Sequence, residues 1–191
     1  IDQWVVKKAC RQVRIFQDKG IRSIKMAFNL SPAQFYRESF LDSIENALKE
    51  NKLDPTLVEV EITESLAYYR PEVFIRILKR LKQLGVSVAI DDFGSDYSSL
   101  SRLRSLPIDR IKIDRQFTEG IPFNKKQGDI VKAILALGNI LGLKVTVEGV
   151  ENEQQFEFFK ENCCDEIQGY YFYKPMPANE LESVLKSNLE L

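Results

Sequence analysis

Apolar residues recur along this chain at two periods, and the two periods alternate. Trp4, Val5, Ala9, Val13 and Phe16 fall at helical spacing among Lys7, Lys8, Arg11 and Arg14, which predicts an amphipathic helix over residues 2–18 stopped by Gly20. Ile24 to Leu30 reads as a strand, and Ser31-Pro32 opens a helical segment running to about Glu50. Leu57 to Ile62 alternates with a period of two, placing Glu59 and Glu61 on one face of a strand. Pro71 starts a helix carrying Phe74, Ile75, Leu78 and Leu81, with Gly85 as its stop. A strand from Val86 follows, then a loop over 94–99 and a short helix through Leu100, Leu103 and Leu106, closed by Pro107. Strands at Ile108–Asp114, Leu143–Val147 and Asp165–Gln168 are predicted between helices over 127–141, 153–160 and 178–185.

Six strands, each followed by a helix or helical turn, imply a parallel sheet with right-handed crossovers. Two α/β architectures fit, an open doubly wound sheet and a TIM-type (β/α) barrel. No G-x-G-x-x-G or P-loop marks a nucleotide crevice. Polar residues instead close successive strands, as they do where a barrel assembles a site on its C-terminal rim, so the barrel is the expected fold. About six of its eight β/α units are in view, and the helical start at Ile1 places the missing pair at the N-terminus.

The stretch Val88-Ala89-Ile90-Asp91-Asp92-Phe93-Gly94 organises the rest. Alternation puts Asp91 on the face of Ala89 and leaves Asp92 where the strand gives out. An Asp after a strand commonly caps the next helix. Two adjacent carboxylates in a partly dry place, however, call for a cation between them. Read in order, the strand ends are Asn29, Glu61, Asp91 with Asp92, Lys112 with Asp114, Glu148 and Gln168.

Composition narrows the chemistry. The chain of 191 residues carries 27 basic and 28 acidic side chains and no histidine. Balanced charge marks no general nucleic-acid or membrane-surface binder, and the lack of His excludes His-based triads and His-ligated zinc. Cys10, Cys163 and Cys164 lack C-x-x-C spacing and fit unpaired thiols in a reducing cytosol. Catalysis must then rest on carboxylates, lysine or a metal. Glu61, Asp91, Asp92 and Glu148, with the amide oxygen of Asn29, make a hard oxygen set suited to Mg²⁺ or Mn²⁺. Lys112, between two isoleucines on an inward face, should stay protonated beside those carboxylates. There it suits attack of water on phosphorus better than Schiff-base chemistry, which needs a neutral amine.

These residues sit in motifs that resemble the EAL-domain cyclic di-GMP phosphodiesterases. The motifs are Asn29-Leu30-Ser31-Pro32, Glu61-Ile62-Thr63-Glu64-Ser65, Asp91-Asp92-Phe93-Gly94, Lys112-Ile113-Asp114, Glu148-Gly149-Val150-Glu151, and Gln168-Gly169-Tyr170 followed by Lys174-Pro175-Met176-Pro177. The resemblance implies a TIM-type barrel that hydrolyses cyclic di-GMP to linear pGpG with Mg²⁺ or Mn²⁺ in a two-metal site. It implies Asn29, Glu61, Asp91, Asp92 and Glu148 as metal ligands. It further implies Lys112 and Glu148 as catalytic groups, Gln168 and Asp114 completing the binding site, and Glu64 anchoring the loop after Asp92. The name-giving Glu-Ala-Leu strand lies upstream of the first helix here, so residues 1–191 are expected to be one N-terminally incomplete domain. The family usually has Thr-Gly where this chain has Ser95-Asp96.

Partners implied are cyclic di-GMP, a second copy in a homodimer, and fused sensory or GGDEF domains outside this chain, with no nucleic acid polymer and no membrane contact by this domain. The implied location is cytoplasmic, in a parent that a membrane anchor could hold. A catalytically impaired EAL-like module, acting as a cyclic di-GMP receptor or an interaction domain, is the alternative. Tyr68-Tyr69 and Tyr170 to Tyr173 read mainly as packing aromatics, Lys125-Lys126 as a solvated helix start, and Cys163-Cys164 as buried packing.

Overall fold

The structure is a computed structural model that describes residues 2–21, 24–66, 70–94 and 103–189. Among them, strands β1 (Met26–Asn29), β2 (Val58–Thr63), β3 (Ser87–Phe93), β4 (Arg110–Ile113), β5 (Lys144–Val147) and β6 (Glu166–Ile167) form one sheet in chain order. The pairs β1–β2, β3–β4, β4–β5 and β5–β6 are parallel. A doubly wound sheet reverses its strand order at a switch point; this one does not. The fold is therefore α/β of the TIM type, with six β/α units of the eight that such a barrel contains.

The helices are α1 (Asp2–Asp18), α2 (Pro32–Phe35), α3 (Glu38–Asn51), α4 (Pro71–Gln83), α5 (Lys125–Leu141), α6 (Glu153–Glu161) and α7 (Ala178–Leu189). Where the sequence pattern predicts one helical segment to about Glu50, the chain breaks at Arg37, which takes an extended conformation. Phe35, 1% exposed and packed on Phe74, turns inward at that point. Its burial outweighs continuation of the helix. The loop beyond Gly94, the first part of the helix expected through Leu100, and Tyr68-Tyr69 lie outside the described residues.

Two compact units divide the chain. The first comprises Ile1–Glu61, Glu72–Val88 and Pro175–Leu191. In it, α1 buries Val6, Cys10, Val13 and Phe16 along one stripe and packs on α3 and β1. Burial pushes the Cys10 thiol up to about 11, so it is an inert core group. The second unit comprises Ile62–Pro71 and Ala89–Lys174. Its helix α5 begins at Asn124, whose side chain accepts from the Gln127 N–H, and lies on β4 and β5. Gly138 permits this close approach, because a Cβ there would run into the Val145 side chain. On β4, Ile111 and Ile113 are fully buried, while Arg110 and Lys112 on the opposite face are only 4% exposed. A strand buried on both faces, with two cations on one of them, is what brings charge chemistry into this unit.

Candidate functional site

The site is built on an irregularity in β3. That strand pairs with β4 as Ala89↔Arg110 and Ile90↔Ile111, then resumes at Phe93↔Ile113. Between those pairs β3 has two residues, Asp91 and Asp92, where β4 has one, Lys112. The strand does not end at Asp92, as alternation suggests, but passes through a bulge to Phe93. Asp92 takes the left-handed conformation, φ 55°, which Asp tolerates better than most residues. A bulge re-aims side chains that a regular strand would send to opposite faces.

Glu64 clasps this bulge from both ends. Its backbone N–H donates to Asp91 O at 3.2 Å, and its buried carboxylate accepts from the Gly94 N–H at 3.1 Å. Lys112 Nζ sits 2.6 Å from Glu148 Oε1 and 3.2 Å from Asp91 Oδ1. Among the described residues, Asp91 Oδ1 is buried without a hydrogen-bond partner and is compensated through the charge of Lys112. Asp92 is half-buried. Desolvation, the Asp91 charge, a shared hydrogen bond with Asp114 and the Glu148 charge all raise its carboxyl above the ordinary value. Asp114 also serves locally, accepting from the Gln116 N–H at 2.8 Å to cap the 3-10 turn Arg115–Phe117.

The remaining strand-end residues are placed as follows. In the first unit, Asn29 and Glu61 are register partners at the ends of β1 and β2, Asn29 exposed and Glu61 buried. In the second, Glu148 follows β5 directly and Gln168, exposed, follows β6. Gln168 is tied to the β5 turn through its backbone: its N–H donates to Val147 O and its carbonyl accepts from the Val150 N–H.

Among the described residues, no three carboxylates or thiols are gathered closely enough to hold a metal ion. Asp91 and Glu148 turn toward Lys112, which compensates their charge, whereas Asp92 faces the like-charged Asp114. Two expectations of buried packing are corrected. Tyr170, Tyr171, Phe172 and Tyr173 are 38–55% exposed, with Phe156 stacked on Tyr171. Cys163 is exposed; Cys164 is partly buried, its thiol pushed up to about 11 by desolvation. Lys125 and Lys126 are exposed at the start of α5.

The raised carboxyl of Asp92 carries a signed prediction. A carboxyl bound to its proton more tightly in the folded state contributes stability that is fully present below its unfolded value and is lost as pH rises through the folded one. At pH 7 the ionised side chain is therefore a cost. Asp92→Asn removes that charge, keeps a partner for Asp114 and suits positive φ. It should raise the melting temperature of metal-free protein at pH 7, and the two melting curves should converge below about pH 4, the ordinary Asp range. A melting temperature at pH 7 unchanged or lower in this variant would show that Asp92 bears no electrostatic strain.

Comparison with known proteins adds the family context. The family model for the EAL domain matches residues 1–175. Cyclic di-GMP phosphodiesterase NbdA of Pseudomonas aeruginosa is 41% identical over 187 residues, spanning 98% of this chain and 24% of NbdA. The solved structure of the PaMucR phosphodiesterase in its c-di-GMP complex matches with a TM-score of 0.91 at 42% identity, over 95% of this chain and 73% of that one. The EAL domain of Mycobacterium smegmatis DcpA matches with a TM-score of 0.93 at 36% identity, over 98% and 84% of the two chains. The chain spans about a quarter of the length of the first curated relatives it matches. Among the described residues, no helix is long and apolar enough to cross a membrane.

Proposed function

The chain belongs to the EAL domain family, and from that premise we propose that residues 1–191 act as one domain in bacterial signal transduction, hydrolysing cyclic di-GMP to linear pGpG. The observation that carries the reading is Lys112 held between Asp91 and Glu148 beside a strand bulge that presents two carboxylates. A site of this kind matches a phosphodiester, which needs a cation for its oxygens and a base for water. PaMucR, solved with c-di-GMP, supports the choice of ligand.

Water adds to phosphorus, the bond from phosphorus to the 3′ oxygen breaks, and the leaving oxygen takes up a proton. Lys112 orients the attacking water or a phosphate oxygen, as a fixed cation stabilises charge that develops there. Glu148, within hydrogen-bond reach of Lys112 and partly open, accepts the proton released by water. Glu64 keeps Gly94 and the bulge in place, and Asp114 and Gln168 complete the polar surround.

The donors in the second unit suit a divalent ion: Asp91 Oδ1 is buried without a hydrogen bond, and the Asp92 carboxyl is raised by desolvation and by the Asp91, Asp114 and Glu148 carboxylates. Asp91, Asp92 and Glu148 would hold Mg²⁺ or Mn²⁺ there, and Asn29 and Glu61 keep the ligand roles their motifs imply. When bound, such an ion supplies Lewis acidity and a more acidic water. A homodimer, fused sensory or GGDEF domains, and a cytoplasmic setting belong to the same proposal, without nucleic acid or membrane contact by this domain.

One observation favours the receptor reading. Lys112 already compensates Asp91 and Glu148 internally, as a site that binds without turnover would allow. Incubation with cyclic di-GMP and Mg²⁺ or Mn²⁺, followed by chromatography and calorimetry, separates the two. Formation of pGpG is the expected result. Binding without product assigns a receptor, and neither binding nor product removes both.

A further inference from the structure

Arg110 stands two residues before Lys112 on β4, so the two side chains share one face of the sheet. It is 4% exposed. One arm donates to Thr146 Oγ1 at 2.6 Å and the other to Glu166 Oε1 at 2.7 Å. The first arm also lies 2.7 Å from Glu166 Oε2, so the guanidinium grips both oxygens of that carboxylate. Thr146 precedes Glu148 by two residues, and Glu166 precedes Gln168 by two. By register Lys112, Thr146 and Glu166 lie across from one another, so Arg110 reaches diagonally forward to Thr146 and Glu166, as Lys112 reaches forward to Glu148.

β6 needs such a grip. It is two residues long and pairs with β5 as Thr146↔Glu166 and Val147↔Ile167. Backbone bonds at both the N–H and the carbonyl of Gln168 fix its main chain against β5 and the turn beyond it, but leave the side chains on that face to be held by their own contacts. Arg110, reaching across β5 to Glu166, holds the Glu166 side chain on that face. Gln168 is the next residue on the same face of this short strand, beside the side chain so held. A buried arginine could hold a carboxylate merely to compensate its own charge, but compensation alone does not need a partner two strands away whose side chain is 55% exposed.

We propose that Arg110 is a positioning residue for the phosphodiesterase site: through its fork on Glu166 it sets the orientation of Gln168 toward substrate. The proposal rests on the reading of the Lys112 face as that site. Arg110→Met keeps the apolar stem and removes the fork, Glu166→Gln removes the charge at the far end, and Arg110→Lys keeps one cation. In Arg110→Met, KM for cyclic di-GMP should rise roughly tenfold, as for loss of one hydrogen bond to a charged group, with a smaller change in kcat. Arg110→Lys should recover part of it. The side-chain amide NMR signals of Gln168 should shift in Arg110→Met and Glu166→Gln. Should Arg110→Met fail to fold, Glu166→Gln, at a half-exposed side chain, gives the same readouts. Parental KM with unshifted Gln168 signals, and only a lower melting temperature, would overturn the proposal. If the unaltered protein neither binds nor hydrolyses cyclic di-GMP while those signals still move in both variants, the phosphodiesterase reading falls and the control of Gln168 by Arg110 stands.

Discussion

Lys112→Met should lower kcat/KM for cyclic di-GMP by roughly 10²–10³-fold, the range for loss of one preorganised group that stabilises transition-state charge. Lys112 is 4% exposed and bound at 2.6 Å to Glu148 and 3.2 Å to Asp91. Met fills its volume but leaves two carboxylates facing each other with no cation between them. Removing one partner of a buried ion pair costs about 3–5 kcal/mol. The lower end applies here, since the Glu148 and Asp91 side chains keep 20% and 12% of their exposure. The melting temperature should therefore fall too. The two losses separate on adding Mg²⁺ or Mn²⁺: a divalent ion that binds the freed carboxylates restores stability by mass action but leaves turnover lost. Full turnover in the variant would reduce Lys112 to a structural counter-charge.

Gly169→Ala should be the most damaging single methyl group near the site. A Cβ at Gly169 would fall inside the carbonyl and amide of Val150, where both sides of the contact are backbone. Neither side can yield by changing rotamer. The contact is tied on both flanks, by the Val150 N–H to Gln168 O at 3.2 Å and the Tyr171 N–H to Val150 O at 3.0 Å. Overpacking costs about 1–3 kcal/mol where side chains can shift, so this substitution should reach or exceed the upper end in chemical denaturation. Gly142→Ala is the control. Unlike Gly169, Gly142 has positive φ, 69°, but a Cβ there meets nothing within 4 Å, and the substitution should cost only the left-handed strain of about 1 kcal/mol. A loss at Gly169 no larger than that at Gly142 would show that close approach to the Val150 backbone is not what Gly169 provides.

Much of the fold could be read from the residues themselves. The period-two runs at Val58–Thr63, Arg110–Ile113 and Lys144–Val147 are strands, and their ends carry the polar residues that alternation assigns to them. That Arg110 and Lys112 share a face follows from parity alone. Alternation within one strand is local information, carried by adjacent side chains.

Only the tertiary structure decided what happens between strands. The bulge that sets Asp91 and Asp92 against Lys112 is a matter of register between β3 and β4, segments some twenty residues apart. The break at Arg37 follows from burial of Phe35 against Phe74, and the grip of Arg110 on Glu166 spans 56 residues. The exposed aromatics from Tyr170 to Tyr173 carry no local mark that distinguishes them from core. The sequence by itself determined which chemistry each strand can present. Which charge meets which was decided by pairing and burial of distant segments, because an ion pair or a strand register is a property of two stretches of chain and has no signature in either one.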